Sequence, residues 1–141
     1  MTGGQLENGC FELSKESEMM NQEFIVPGFL AGGIHCGIKA DGNKDLALIF
    51  SPAAATASGV FTKNAFKAAP VLLDQERMKH GAGQAVVVNS GVANAATGLE
   101  GLDDARRVSS FVSKELRIAD EMVFVGSTGV IGDRIPLGKI Q

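Results

Sequence analysis

The sequence predicts an α+β fold, a mixed β-sheet with flanking helices. Three features carry that expectation. Short apolar runs broken by glycine begin at Pro27, the run Gln84–Asn89 holds three consecutive valines, and in Leu99–Leu116 apolar residues recur at helical spacing.

The elements follow in order. Phe29–Ile38 is a glycine-interrupted strand candidate, and Asp41-Gly42-Asn43 is a turn. Asp45–Phe50 reads as a compact buried strand, with Ala57–Thr62 and its Val60-Phe61 pair as the antiparallel neighbour. Val71–Leu73 follows a proline and reads as extended, and Asp74–Met78 suits one or two helical turns closed by Gly81. Gln84–Asn89 is the central strand. After it, Thr97 with Glu100 three residues on has the capping-box pattern of a helix start. Leu99, Leu102, Ala105, Val108, Val112 and Leu116 define the buried face of that helix, and Asp103, Arg106, Arg107 and Lys114 the solvated one. Met122–Gly126 returns to strand, Ser127-Thr128-Gly129 closes it in a turn, and Pro136 suits the first turn of a second helix.

A chain of 141 residues can bury one moderate core, so a single domain is expected over 27–141. Residues 1–26 form a polar leader, mobile or tag-derived: Glu7, Glu12, Glu16, Glu18 and Glu23 stand against Lys15 alone, the wrong sign for a transit peptide. A net charge of −3 gives no electrostatic reason for a nucleic-acid or membrane partner. The longest apolar runs fall far short of the roughly 20 residues of a spanning helix. Cys10 and Cys36 are the only cysteines, which argues against a disulfide framework and fits a reducing, cytoplasmic setting.

Nucleotide-binding motifs fail on spacing. Gly132 and Gly138 are separated by five residues where a phosphate loop needs four, with Ile140 in place of its Ser or Thr. Gly81-Ala82-Gly83 precedes a strand instead of following one, and Val86 replaces the third glycine of a dinucleotide fingerprint. His35 and Cys36 alternate to opposite strand faces with no second ligand pair nearby, so no metal is expected there. His80 reads as a solvated turn residue.

Two segments suit a site. Asn89–Gly98 is rich in asparagine and small residues directly after a buried strand; it either braces its own backbone or shapes a polar ligand pocket. Gly126-Ser127-Thr128-Gly129-Val130-Ile131-Gly132 can aim a hydroxyl and an unobstructed glycine N–H at one point, as oxyanion stabilisation requires; a simple strand-capping turn would use the same residues.

Several stretches together resemble one family, the glutamate N-acetyltransferase (ornithine acetyltransferase) precursors that cut themselves into two chains. They are Lys44-Asp45-Leu46-Ala47-Leu48-Ile49, Gly59-Val60-Phe61-Thr62, Lys67-Ala68-Ala69-Pro70-Val71, Val87-Val88-Asn89-Ser90-Gly91, Ala93-Asn94-Ala95, Thr97-Gly98, Asp104-Ala105-Arg106 and Ser127-Thr128-Gly129-Val130-Ile131-Gly132. They occur in the family's order from Gly28 to Gln141.

The resemblance implies the first (alpha) chain of an acyltransferase of arginine biosynthesis, part of a layered α/β/β/α sandwich completed by a second (beta) chain. It implies a ping-pong transfer of acetyl from N-acetylornithine to glutamate through an acetyl-threonine, the threonine opening the beta chain. It assigns Thr128, through its hydroxyl, and Gly129, through its backbone N–H, as the oxyanion pair, with no metal or organic cofactor. Acetyl-coenzyme A is an alternative donor in some members. Two copies of each chain are expected, a heterotetramer.

Two departures stand out. Val92 and Ala96 occupy positions where the family usually carries Asn and Cys, and the sequence reaches Gln141 without the family's Thr-Thr-Asp segment or its Lys-Gly-Ala scission site. The nucleophile is therefore not expected in this chain, and no substrate-binding residue is assigned. Two alternatives remain at this point: a related self-processing aminopeptidase, and a non-catalytic ligand-binding fragment.

Overall fold

The computed structural model describes residues 26–140. The reading of residues 1–26 as a polar leader falls almost wholly outside them. Four strands form one sheet in the order β1-β2-β3-β4: β1 Leu30–Ile34, β2 Leu46–Thr56, β3 Ala82–Val92 and β4 Val123–Val130. β1–β2 and β2–β3 pair antiparallel, whereas β3–β4 pair parallel with Ala85 opposite Val123. Two helices, α1 Ala69–Arg77 and α2 Gly98–Leu116, cover one face. This is the expected α+β class with a mixed sheet.

The core lies between that face and the helices. Leu48, Ala85, Val87, Val123 and Val125 meet Leu73 of α1, Ala105 and Val108 of α2, and Ile135. Each fully buried valine there contributes on the order of 1.5–3 kcal/mol relative to exposure. Alternation along the strands sends the other side chains to the opposite face, where Ile49, Val86 and Val88 are exposed. That face carries a shallow apolar depression of about 390 Å³, lined by Ala31, Gly33, Lys44, Ala47, Ile49 and Val88. A sheet solvated on one side normally alternates apolar-in with polar-out. Here both sides are apolar.

Several expected elements shift. The first strand stops at Ile34, because residues 35–45 fold around the buried Asp45 carboxylate, which accepts the N–H of Cys36 at 2.7 Å and of Lys39 at 2.9 Å. β2 runs beyond Phe50 to Thr56 across an irregularity spanning Pro52, which has no N–H to pair. Ala57–Thr62 is not a strand: it forms no ladder with β2, and Val60 is left 99% exposed. Val71–Leu73 is helical, since Pro70 sits in the first turn of α1, where its missing N–H costs nothing. Gly81 closes the following 3-10 turn in the left-handed conformation, as expected.

α2 matches its expected span, and Asp103, Arg106, Arg107 and Lys114 are exposed. Its capping box does not form. The Thr97 hydroxyl donates to Asn94 Oδ1 at 2.8 Å, and Glu100 pairs with Arg134 instead of reaching back to the helix start. Leu99 is 85% exposed and drops out of the buried face, to which Asp104, Ser109 and Ser113 are added. Pro136 precedes a single 3-10 turn, Leu137–Lys139.

Candidate functional site

The Ser127-Thr128-Gly129 segment is strand, not turn. β4 continues through Val130 because its end stays paired with the end of β3: Asn89 lies opposite Ser127, Ser90 opposite Thr128 and Gly91 opposite Gly129. The two glycines make this approach feasible. Gly129 has φ +133° and Gly91 φ +114°, conformations that side chains rarely adopt. A Cβ on Gly129 would press on the Gly91 carbonyl group and stand 2.6 Å from Val92 N. Only glycine fits there.

Thr128 and Gly129 are both exposed. Val123 and Val125 point into the core, so the same alternation sends Ser127 to the helix side and Phe124, Gly126 and Thr128 to the other. Gly126 accordingly abuts Val88, whose side chain lies on the open face. The Thr128 hydroxyl therefore emerges beside the uncovered apolar face. Backbone groups alternate as well. The outer edge of β4 is bonded by α1 at two residues: Arg77 Nη1 donates to Val123 O, and Val125 N donates to Asp74 Oδ1 at 3.0 Å. Two residues further on, regular alternation turns the amide of Ser127 the same outward way past α1. An exposed threonine and an exposed glycine thus stand at adjacent residues, and a hydroxyl with a backbone N–H is a donor set that can stabilise an oxyanion.

Side chains fix this corner from below. Asn89, 2% exposed, accepts the Ser127 hydroxyl at 2.6 Å and donates to Val92 O at 2.8 Å. Asn94, fully buried with φ +48°, donates to Gly101 O at 2.8 Å. Backbone bonds from Ala93 N to Val130 O and from Gly132 N to Ala95 O, both 2.9 Å, tie the Asn89–Gly98 loop to the chain beyond β4. The loop's amides therefore serve its own backbone, the bracing reading, and not an open pocket. Val92 and Ala96, where the usual Asn and Cys are replaced, contribute a carbonyl and a residue with φ +62°.

Sequence reasoning missed the charged residues that hold the site's supports. Burial works against the Asp45 carboxylate, but the Cys36 and Lys39 amides more than offset it and hold the group well below its usual range. Asp45 O also accepts Ser90 N–H at 2.8 Å, which joins this loop to the end of β3. Arg77, 5% exposed, bonds Ser109 at 2.7 Å and Asp120 at 2.6 Å beside β4. Burial pushes the Asp74 carboxyl up to about 6, against the opposing pull of the Val125 amide and Arg77. Arg134 grips the buried Asp104 and also Glu100, anchoring the segment after β4 to α2. These pairs join residues distant in sequence and leave no local pattern to read.

His35 Nδ1 lies 2.9 Å from Asn43 O and 3.4 Å from Asp45, so it braces its own loop. His80 lies exposed in the 3-10 turn before Gly81, as read from the sequence. Among the described residues, no group of three or more His, Cys, Asp or Glu side chains is placed to hold a metal ion, and no helix is long and apolar enough to cross a membrane.

The chain is similar to known proteins over nearly its whole described length. The arginine biosynthesis bifunctional protein ArgJ of Caldanaerobacter subterraneus is 49% identical over 124 residues, 87% of this chain and 30% of the relative. That of Thermotoga neapolitana is 50% identical over 120 residues, 84% of this chain and 30% of the relative. The chain thus spans about three tenths of the length of these curated relatives. Among solved structures, ArgJ of Bacillus halodurans superposes with a TM-score of 0.77 at 43% identity, over 81% of this chain and 60% of that one. The ornithine acetyltransferase of Mycobacterium tuberculosis, solved with ornithine, gives 0.72 at 46% identity, over 81% and 62%. The ArgJ family model itself matches residues 30–141, and the chain belongs to the ArgJ family.

Proposed function

We propose that this chain is the oxyanion-stabilising part of an N-acetyltransferase of arginine biosynthesis that moves acetyl from N-acetylornithine to glutamate. In this reading a threonine hydroxyl on a second chain of the same precursor attacks the acetyl carbonyl. The carbonyl oxygen gains negative charge, and the Thr128 hydroxyl and Gly129 N–H donate to it. The terminal amine of that chain takes the threonine proton and passes it to the leaving nitrogen, the C–N bond breaks, ornithine departs as the amine, and acetyl remains as a threonine ester. The amine of glutamate attacks that ester, the same two donors serve the second oxyanion, and the threonine is released. No metal or organic cofactor takes part, and acetyl-coenzyme A is an alternative donor to the same threonine.

The observation that carries the reading is the exposure of both donors at a strand end beside an uncovered apolar sheet face. That face is the surface against which the second chain would lay its own sheet, completing an α/β/β/α sandwich with the reacting threonine between the layers. The assembly would hold two copies of each chain and work in the cytoplasm.

The test is Thr128→Ala in the full-length precursor. With self-processing intact, kcat for acetyl transfer to glutamate should fall by about two to three orders of magnitude. Unchanged turnover would remove Thr128 from the mechanism.

A further inference from the structure

We propose that Asn89 is a positioning residue for the Thr128 and Gly129 donors, its buried amide holding the ends of β3 and β4 in one fixed relation. The inference rests on the oxyanion reading given above. Regular pairing cannot supply this fixation. The β3–β4 ladder is irregular at Gly91 and Val92, and Thr128 lies opposite both Ser90 and Val92. The backbone bonds from Ala93 N to Val130 O and from Gly132 N to Ala95 O hold the chain beyond the irregularity, so the stretch Ser127–Gly129 needs a tie of its own.

Asn89 supplies the tie. Its backbone pairs with Ser127 while its side chain reaches in two directions. Oδ1 accepts the hydroxyl of Ser127, the residue before Thr128, and Nδ2 donates to the carbonyl of Val92, the residue whose nitrogen crowds Gly129. One donor and one acceptor on a single planar group are required, which Asn provides and neither a carboxylate nor an apolar side chain does. Asn89 is 2% exposed, so water has little access to its amide. Misplacing a reacting geometry by about 1 Å can cost on the order of a hundredfold in rate. Asn94 is an equally buried amide, but its partners Gly101 and Thr97 belong to the start of α2.

The experiment uses the full-length, self-processed enzyme and measures kcat and KM for acetyl transfer. Asn89→Asp and Ser127→Ala are each made alone and combined with Thr128→Ala. Asn89→Asp keeps the shape and the acceptor but loses the donor to Val92 when ionised. It should lower kcat about 10- to 100-fold with KM changed less than about twofold, because what is lost is the placement of donors that act on the transition state. Ser127→Ala should lower kcat about 3- to 10-fold. In the Thr128→Ala background each loss should shrink at least about threefold, since a donor being positioned is gone. Equal losses in both backgrounds, or losses confined to KM, would overturn the inference. If Asn89→Asp does not fold, the Ser127→Ala cycle decides alone. Full activity of Thr128→Ala by itself would overturn the oxyanion reading instead, so the two failures are distinguishable.

Discussion

Replacing Asp74 by Asn should stabilise the protein at neutral pH. The side chain accepts Val125 N–H at 3.0 Å, and Asn keeps an oxygen to accept it. Asn does not keep the charge. Burial lifts the carboxyl from its ordinary 3.8 to about 6, so ionisation above that pH works against the folded state. The difference corresponds to about 3 kcal/mol for a fully buried group. The group is partly exposed, and solvent screening reduces the figure to about 1–2 kcal/mol. Because the folded value is raised, the favourable contribution is complete below pH 3.8 and is lost as pH climbs through about 6. Urea unfolding should therefore favour Asp74→Asn by about 1–2 kcal/mol at pH 7.5, and by only a few tenths at pH 4. A destabilised variant at pH 7.5, or an equal gain at both values, would refute this account of the Asp74 environment.

Gly129→Ala should abolish measurable acetyl transfer, because the added Cβ would meet backbone atoms of Gly91 and Val92 that cannot move aside separately; steady-state assays on protein shown to be folded by circular dichroism check this. Arg77→Leu should cost about 2–4 kcal/mol in urea unfolding, since it takes the donor from Val123 O and the guanidinium that Ser109 and Asp120 share, although those two keep their bond to each other. Asp45→Asn should flatten the acid limb of the stability profile. The folded carboxyl lies well below its ordinary 3.8, so its contribution is present above that pH and is lost as pH falls towards the folded value, which thermal melts from about pH 5 down to about pH 2 would record.

Much of the fold was legible because it is local. The span of α2 follows from apolar residues at three- and four-residue spacing, and β3 follows from a valine run bounded by polar residues. The failures occurred where a distant partner overrode a local signal. Ala57–Thr62 has strand-forming residues but pairs with no strand, and Thr97 with Glu100 has the capping pattern but both side chains are engaged elsewhere. Val71–Leu73 reads as extended after Pro70, although in a first turn proline is compatible with a helix.

The candidate site divides the same way. By itself the sequence determined that residues 126–132 join a hydroxyl to a glycine that can expose its N–H, because those properties belong to the residue types and their adjacency. Only the tertiary structure decided that the segment is strand and not turn, that Thr128 emerges beside an apolar sheet face left open among the described residues, and that Asn89 ties Ser127 to Val92. The reason is sequence distance: the Asn89 and Ser127 side chains meet across 38 residues, a contact set by the parallel register of β3 and β4 and by no spacing along the chain.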